Sequence, residues 1–223
     1  MNIRGTALDI LKHVGIIPDG NRRWSEKNGL SYLNGYMVAA QKMRSILEHL
    51  LHTHRVRSIS IYGLSKENLQ RDPRDLETAC RIEARFCNEI LLEFAKTFAC
   101  KVIHAGLKDG LPDYFVQAIE NICSATQHYK NRTIYMLINY NPWDELNQRC
   151  PRSLDIELTN LWVPEYVDLI IRSAEAIGTS NFLPLQSGYA TFFSAAAFFQ
   201  DIQNSDIDRA VDLFKATPRM FGK

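Results

Sequence analysis

Short apolar runs alternate with longer amphipathic stretches along the chain. The short runs predict five β-strands, at residues 14–17, 56–63, 100–106, 132–140 and 167–173. The first and the last of these runs are almost continuously apolar, which is typical of strands buried on both faces of a sheet. The longer stretches carry apolar residues three and four positions apart. They predict helices over residues 35–54, 74–98, 112–128 and 206–215.

This order of elements predicts an α/β fold with a single, mostly parallel sheet covered by helices. The chain has 223 residues, of which 46% are hydrophobic. That is enough for one ordinary core, so we expect a single domain over residues 1–223. Residues 147–153 are the least patterned stretch, and we expect them to form a surface loop.

Composition narrows the class of protein. The formal net charge is only +1, which argues against a general binder of nucleic acids or membrane surfaces. The five cysteines form no CxxC pair, as expected for free thiols in a reducing compartment. The N-terminal apolar run is too short for a signal peptide, and no segment reaches the ~18 apolar residues of a membrane span. We therefore expect a cytoplasmic protein without stable membrane insertion.

A dense polar cluster follows the first predicted strand. Asp19, Gly20 and Asn21 come directly after the apolar run, and Arg22 and Arg23 follow them. Glycine lets a ligand approach the backbone, and guanidinium groups suit phosphate oxygens. A carboxylate is a poor neighbour for phosphate unless a cation lies between them, and Mg²⁺ would resolve the conflict. The alternative is a plain turn in which Asp19 caps a helix and both arginines are solvated.

Polar residues also occur at the ends of the second and fifth predicted strands. They are Ser65, Glu67, Asn68 and Arg71 in one case, and Arg172, Ser180 and Asn181 in the other. The carboxyl ends of parallel strands share one edge of a sheet, where ligands bind in open α/β folds. We therefore expect a polyanion site with two or more phosphate-sized pockets. The P-loop and GxGxxG motifs are missing, which argues against an ATPase or a dinucleotide-binding enzyme.

Four segments of the sequence together resemble the cis-prenyltransferases of the undecaprenyl-diphosphate-synthase type. They are HVGIIPDGNRRWSEKNG, IYGLSKENLQRD, INYNPWDEL and DLIIRSAEAIGTSNFLPLQSGYATFF. The segments come in the family's order, and the resemblance extends from His13 to Gly222. The shortness of the segment from Asn139 to Arg172, together with RRWSEKNG at the end of the first segment and the GY that follows, is also similar to the lavandulyl-type branch, whose members join C5 units irregularly.

The resemblance implies a fold with an apolar prenyl tunnel, a Mg²⁺ cofactor, prenyl diphosphate substrates and a homodimer. It implies a role for ten residues in all. Asp19 holds Mg²⁺ and diphosphate, Asn68 assists at the reacting centre, and Arg71 assists with the diphosphate. The remaining residues bind substrate: Gly20, Asn21, Arg22, Arg23 and Ser65 on the allylic side, and Arg172 and Ser180 at the second substrate, isopentenyl diphosphate.

The sequence departs from the family's pattern mainly on the side of the second substrate. The positions that carry a different residue type are Tyr32, Tyr36, Trp143, Ala176, Gly178, Thr191 and Met220. Gly178 and Met220 stand where the family has arginines, and Thr191 stands where it has a glutamate that helps to hold Mg²⁺. The allylic site is thus mostly retained, whereas the isopentenyl diphosphate site has lost most of its charge.

We therefore predict an enzyme that uses Mg²⁺ to ionise a short allylic prenyl diphosphate and transfers the prenyl group. Bulky Phe86 and Phe94 in the predicted helix over residues 74–98 favour a short product, about C10 to C20, because they would block an apolar tunnel. One alternative is a terpene cyclase that acts on a single prenyl diphosphate. The other is a catalytically silent family subunit. His13, at the start of a strand, is interpreted as structural.

Overall fold

Six parallel strands form one sheet in the computed structural model, which describes residues 10–150 and 156–217. They are β1 (His13–Ile17), β2 (Ser58–Ser65), β3 (Cys100–Ala105), β4 (Arg132–Tyr140), β5 (Leu169–Arg172) and β6 (Thr191–Ser194). The order across the sheet is β3-β4-β2-β1-β5-β6. The five predicted strands and the parallel sheet are confirmed. Strand β6 was not predicted, because a run of four residues between loops gives no clear periodicity.

The helices are α1 (Asn21–Lys27), α2 (Tyr32–His52), α3 (Pro73–Arg85), α4 (Leu92–Thr97), α5 (Asp113–Thr126), α6 (Pro142–Arg149) and α7 (Asn204–Ala216). Five of the seven helices in the described residues lie in the predicted amphipathic stretches, whereas α1 and α6 lie outside them. A π-helical segment, Phe86–Leu91, joins α3 to α4 and interrupts the stretch predicted as one helix. None of the helices in the described part of the chain has the length and apolar character needed to cross a membrane.

Helix α6 corrects the prediction of a surface loop over residues 147–153. The helix continues to Arg149, and residues 151–155 lie outside the described ranges. Its start is well defined, since the Asn141 side chain accepts a hydrogen bond from the backbone N–H of Trp143 and Pro142 occupies the first turn. An asparagine cap followed by proline is a common start signal for a helix. The helix was not predicted because this start signal involves only two residues and the short helix contains few apolar residues at regular spacing.

The two faces of the sheet are covered in different ways. Side chains alternate along β4, so that Ile134 and Met136 enter one apolar cluster while Tyr135 and Leu137 enter the other. Helices α2, α3, α5 and α7 cover the first face and contribute most of the larger cluster. On the second face, apolar residues between 162 and 192 pack against the strands. This irregular stretch links β4 to β6 by way of the short strand β5.

The Phe182 ring anchors the irregular stretch to the centre of the sheet. Gly15 lies beneath it in β1, where an added Cβ atom would be 2.4 Å from Cε1 of Phe182. The ring also packs edge-on against Tyr62, with 5.5 Å between the ring centroids. The Tyr62 hydroxyl donates a hydrogen bond of 2.9 Å to the carbonyl of Ser180. The position of Ser180 therefore depends on close packing at Gly15.

Substitution of Gly15 by alanine tests this packing. The added methyl group has to displace the Phe182 ring, and overpacking of this kind costs about 1–3 kcal/mol of unfolding free energy. The measurement is denaturant unfolding of Gly15→Ala beside Gly188→Ala, because a Cβ atom at Gly188 meets nothing within 4 Å. Equal stability of the two variants would show that the ring is not held as described.

Candidate active site

The carboxyl ends of three neighbouring strands, β2, β1 and β5, surround a polar cavity. Its empty volume is about 720 Å³. Asp19 reaches the cavity from β1, Ser65 and Asn68 from β2, and Arg172 and Ser180 from β5. Residues that lie up to 161 positions apart in the sequence, from Asp19 to Ser180, thus meet at the predicted edge of the sheet.

Asp19 is the acidic centre of this cavity. Its Oδ2 accepts a hydrogen bond of 2.7 Å from Nη2 of Arg172, and its Oδ1 lies 3.5 Å from Nη2 of Arg23. The Ser173 hydroxyl holds the backbone of Asp19 by contacts of 2.7 Å to both the N–H and the carbonyl. Ser173 is buried and was not predicted, because a serine at the end of an apolar strand carries no distinguishing signal.

Gly20 and Asn21 make the turn after Asp19 close-packed. Gly20 has a φ of +86°, and a Cβ atom there would lie 2.5 Å from Cδ1 of Phe198 and 2.9 Å from Cβ of Ala174. The position thus requires glycine for its backbone conformation and for space. Asn21 is buried and donates through Nδ2 to the carbonyl of Pro18 at 3.1 Å, whereas its Oδ1 has no hydrogen-bond partner among the described residues.

The predicted arginines gather around a second polar cavity, of about 670 Å³ empty volume, which shares Asp19 with the first. Arg22, Arg23 and Arg71 all line it, and Arg71 lines the first cavity as well. Arg22 forms an ion pair with Asp75 at the start of α3 and lies over the Tyr32 ring. The predicted cationic cluster is therefore present, although Arg22 is also tied to α3.

Ser65 and Asn68 position each other at the end of β2. The N–H of Ser65 donates to Oδ1 of Asn68 at 3.3 Å, and the Ser65 side chain accepts a hydrogen bond from the Asn68 backbone. Between them, Glu67 accepts from Nδ2 of Asn141 at 3.1 Å. Burial opposes ionisation of Glu67, but hydrogen bonds from its own backbone, from Ser65 and from Asn181 outweigh it and lower its pKa. Glu67 is thus a carboxylate that ties three loops together.

Arg172 and Ser180 meet as predicted, but the arginine is already engaged. Its Nη1 donates to the Ser180 hydroxyl at 2.8 Å and to the carbonyl of Gly178, while Nη2 binds Asp19. Its Nε is buried without a partner among the described residues. From Ser173 to Asp208 the sequence contains no lysine or arginine. The loop after β5 therefore supplies no further cation, and of the two arginines that line this cavity, Arg71 and Arg172, the second is already shared with Asp19.

The structure places the departures from the family's pattern at different distances from the site. Tyr36 lines both polar cavities, and its hydroxyl accepts a hydrogen bond of 2.9 Å from Tyr32. Burial raises the pKa of Tyr36, so it remains a neutral phenol. Gly178 lies in a loop, and Thr191 pairs with Leu169 at the amino-terminal end of β6, away from Asp19. Arg219 and Met220 lie outside the described residues.

An apolar cavity of about 390 Å³ empty volume adjoins the polar one. Side chains of α2, including Met43, and Phe86 after α3 line it. Five residues border both this cavity and the larger polar cavity: Pro18, Asn21, Tyr36, Gly63 and Glu83. Phe86 thus occupies a position that suits the role predicted for it. Phe94 is fully buried in the larger apolar cluster and is not among the residues that line this cavity.

His13 lies at the opposite end of the sheet from Asp19. The ring is fully buried, with Nε2 2.8 Å from the Ser60 hydroxyl and Nδ1 3.1 Å from the carbonyl of Tyr166. Burial lowers the pKa of His13 and outweighs the nearby carboxylates Glu165 and Asp168. These contacts support the structural interpretation of His13.

Comparison with known proteins places this geometry in a family. The family model described as "Putative undecaprenyl diphosphate synthase" matches residues 17–222. An isoprenyl transferase of Treponema pallidum is 30% identical over 227 residues, which cover 95% of this chain and 99% of that protein. A geranylgeranyl-diphosphate-specific tritrans,polycis-undecaprenyl-diphosphate synthase of Thermococcus kodakarensis is 28% identical, with 96% of this chain and 88% of the relative covered.

Solved structures show the same fold. Lavandulyl diphosphate synthase from Lavandula x intermedia, in complex with dimethylallyl diphosphate, superposes with a TM-score of 0.83 at 22% identity and covers 95% of this chain and 98% of its own. A probable undecaprenyl diphosphate synthase from Campylobacter jejuni gives 0.81 at 23% identity, with coverage of 96% and 100%. The predicted fold class and the resemblance are both confirmed: the chain belongs to the cis-prenyltransferase family and is a prenyltransferase.

Proposed function

We propose that this prenyltransferase uses Mg²⁺ to ionise a short allylic prenyl diphosphate and passes the prenyl group to an acceptor. One observation carries the proposal. The cavity that Asp19, Arg71 and Arg172 line borders directly on an apolar cavity that Phe86 lines. One molecule with a diphosphate head and a short hydrocarbon tail would fill both.

The charges around Asp19 suit the bond that has to break. Cleavage of the allylic C–O bond leaves negative charge on pyrophosphate, and fixed cations placed there in advance lower the barrier. Arg22, Arg23 and Arg71 supply such charge around one cavity. The carbon chain carries the opposite charge, and apolar walls keep water from quenching it.

The residues around Asp19 also fit a divalent ion. Mg²⁺ in proteins is commonly held by one or two carboxylates together with phosphate oxygens of the substrate. Asp19 offers a carboxylate that is 31% exposed, and the partnerless Oδ1 of Asn21 lies in the same cavity wall. When bound there, the ion would supply positive charge to the departing pyrophosphate. Arg23 and Arg172 would then be released from Asp19 toward the phosphates.

The part of the cavity assigned to the second substrate contains fewer charged residues than the allylic side. Arg172 and Ser180 are the residues that the resemblance assigns to isopentenyl diphosphate, and both line the polar cavity. We propose that this acceptor binds weakly. We also propose, from the resemblance, one domain over residues 1–223 that pairs as a homodimer.

A terpene cyclase remains the second candidate because of this charge-poor end of the site. A cyclase ionises one diphosphate and lets the cation react with its own double bonds, so it needs no second cationic pocket. A catalytically silent subunit is less well supported. Asp19, Asn68 and Arg71 all line one cavity, and a silent subunit has no physical need for a complete ionisation site.

Replacement of Asp19 by alanine should lower turnover at least about 100-fold and leave the fold intact, because it removes the proposed ligand of the activating ion. The measurement is pyrophosphate release from geranyl diphosphate at several Mg²⁺ concentrations. Asp212→Ala is the matched control, since Asp212 is exposed on α7 with one long contact, 3.6 Å, to Lys215. Wild-type turnover in Asp19→Ala would reject the site assignment.

Gly178→Arg should tighten the binding of isopentenyl diphosphate by about tenfold or more, because a charge-assisted hydrogen bond contributes roughly 1.5–3 kcal/mol. There is room for the change, as a Cβ atom at Gly178 meets nothing within 4 Å. Calorimetric titration into protein loaded with Mg²⁺ and a non-ionisable allylic analogue measures the affinity. Gly188→Arg controls for added net charge. Tight binding by the unmodified protein would contradict the proposed loss of the second pocket.

The product should be short, about C10 to C20, because the bulky Phe86 side chain lines the apolar cavity and limits the space for the prenyl chain. Phe86→Ala should lengthen it by about one C5 unit or more, since truncation opens space at the cavity wall. Chromatography of the products after incubation with allylic and isopentenyl diphosphates gives the chain length. Phe98→Ala serves as the control, because Phe98 packs against the core outside this cavity. C50 products from the unmodified protein would refute the prediction.

A further inference from the structure

We propose that the protein has a second activity, the release of a neutral olefin from an allylic diphosphate, in which the Glu83 carboxylate takes up the proton. The inference rests on the proposed function, because it needs ionisation of the diphosphate in the polar cavity. It goes beyond that function by adding a different fate for the cation.

Glu83 lies where a prenyl chain would pass from one cavity to the other. It is one of the five residues that border both cavities, and the only carboxylic acid among them. The carboxyl group lies over the backbone of β2, with Oε2 3.1 Å from the position of a Cβ atom on Gly63. The glycine thus leaves the space that the carboxyl group occupies. A chain that enters the apolar cavity from Asp19 passes along this group.

The carboxyl group of Glu83 has no hydrogen-bond or ion-pair partner among the described residues. Burial alone raises its pKa to about 7. The titratable and charged groups that face it or share its cavity are Tyr36, Arg71, Cys80, Cys87, Asp19 and Arg172. Tyr36 is a neutral phenol and the pKa of both thiols is raised, so none of these three neutralises the carboxylate. Near neutral pH the acid and its base coexist, and the group can accept and return a proton.

An unpaired acid at this position is costly for the fold. Glu83 is half-buried, and even partial burial of a carboxyl group without a partner destabilises a protein, whereas leucine or methionine would fill the same wall at no such cost. Ionisable groups with perturbed pKa values in a cleft are characteristic of functional sites. A π-helical segment begins three residues later, at Phe86, and such segments occur frequently at functional sites. The unpaired carboxyl group and the nearby π-helical segment thus both indicate a functional role for Glu83.

The reaction balances without any further reactant. The C–O bond breaks, and both of its electrons leave with pyrophosphate. A C–H bond on a carbon next to the cationic centre then breaks, its electrons form the new C=C bond, and the proton moves to an Oε atom of Glu83. Glu83 afterwards returns the proton to water through the polar cavity. The products are pyrophosphate and an olefin with the carbon skeleton of the substrate.

Proton loss from the cation can compete with prenyl transfer because the pocket at Arg172 contains few positive charges. Transfer requires the acceptor to be bound when the cation forms. From Ser173 to Asp208 the sequence contains no lysine or arginine that could hold a second diphosphate, and Arg172 itself is engaged by Asp19. Where acceptor occupancy is low, proton loss to a neighbouring carboxylate competes with transfer.

The test incubates the protein with geranyl diphosphate and Mg²⁺ in the absence of isopentenyl diphosphate. Released pyrophosphate reports ionisation, and gas chromatography with mass spectrometry separates C10 olefins from the alcohols formed with water. The unmodified protein should release olefin. Glu83→Gln should still release pyrophosphate, but the olefin share of its products should be at least about tenfold lower, with alcohol in its place.

Glu89→Gln is the matched control. It makes the same chemical change a few residues along the same helical run, where Glu89 is exposed and bound to Arg85. It should leave the olefin share unchanged. Glu83→Asp keeps a carboxyl group and should retain more olefin than Glu83→Gln, and thermal unfolding of each variant verifies that it is folded.

The pH dependence separates a proton acceptor from a merely structural residue. The carboxylate fraction of Glu83 grows as the pH rises through about 7, so the olefin-to-alcohol ratio of the unmodified protein should rise over that range. The ratio should be flat in Glu83→Gln. A structural role would change pyrophosphate release and leave the ratio alone.

Three results would overturn the inference. An unchanged olefin share in Glu83→Gln would remove Glu83 from the reaction. Prenyl transfer to isopentenyl diphosphate with no olefin under any condition would reject the second activity and leave the proposed function intact. No pyrophosphate release from any allylic diphosphate, with or without isopentenyl diphosphate, would reject the proposed function and this inference together.

Discussion

The ion pair between Asp19 and Arg172 determines the geometry of the rest of the site. It joins the ends of β1 and β5 across 2.7 Å, and the adjoining Ser173 hydroxyl binds the backbone of Asp19. Arg172 in turn holds Ser180 and the carbonyl of Gly178, so a single guanidinium group organises the loop that follows β5. Arg172 is thus the residue that joins the Asp19 carboxylate to the loop that carries Gly178 and Ser180.

In the proposed function, the same pair would influence how an anion binds. An incoming diphosphate would compete with Asp19 for Arg172, and a divalent ion would compete with Arg172 for Asp19. If both bound together, each charged group would exchange one partner for another of the same sign, and no charge would be left without a partner. Removal of a single partner from such a pair is far more costly than this exchange. The ion pair is therefore consistent with the proposal that the ion binds together with the diphosphate.

The sequence predicted those features of the fold that repeat over many residues. Five strands and the long helices followed from periodicity, and the parallel sheet placed Asp19, Asn68, Arg71 and Arg172 at one edge. Strand β6 and helix α6 were missed because each is short and is defined by pairing or capping rather than by an apolar pattern. Phe94 was grouped with Phe86 because spacing alone does not distinguish a cavity wall from a filled core.

Glu83 was missed for a different reason. In the sequence it is one of several charged residues on an amphipathic helix, and nothing marks it as the one that points inward. Its significance depends on Gly63, which lies in another element twenty residues away and leaves room for the carboxyl group. The spacing of apolar residues in one helix does not show where a residue of another element leaves space for a side chain.

The five residues that border both cavities have a consequence for how the enzyme can change. Pro18, Asn21, Tyr36, Gly63 and Glu83 line the polar and the apolar cavity at once. Residues that share a cavity usually have coupled, non-additive effects. If the polar cavity holds the diphosphate and the apolar cavity holds the prenyl chain, as proposed, a substitution at Tyr36 or Gly63 that admits a longer chain also alters the surroundings of the leaving group. Selection for product length would then also act on the catalytic rate.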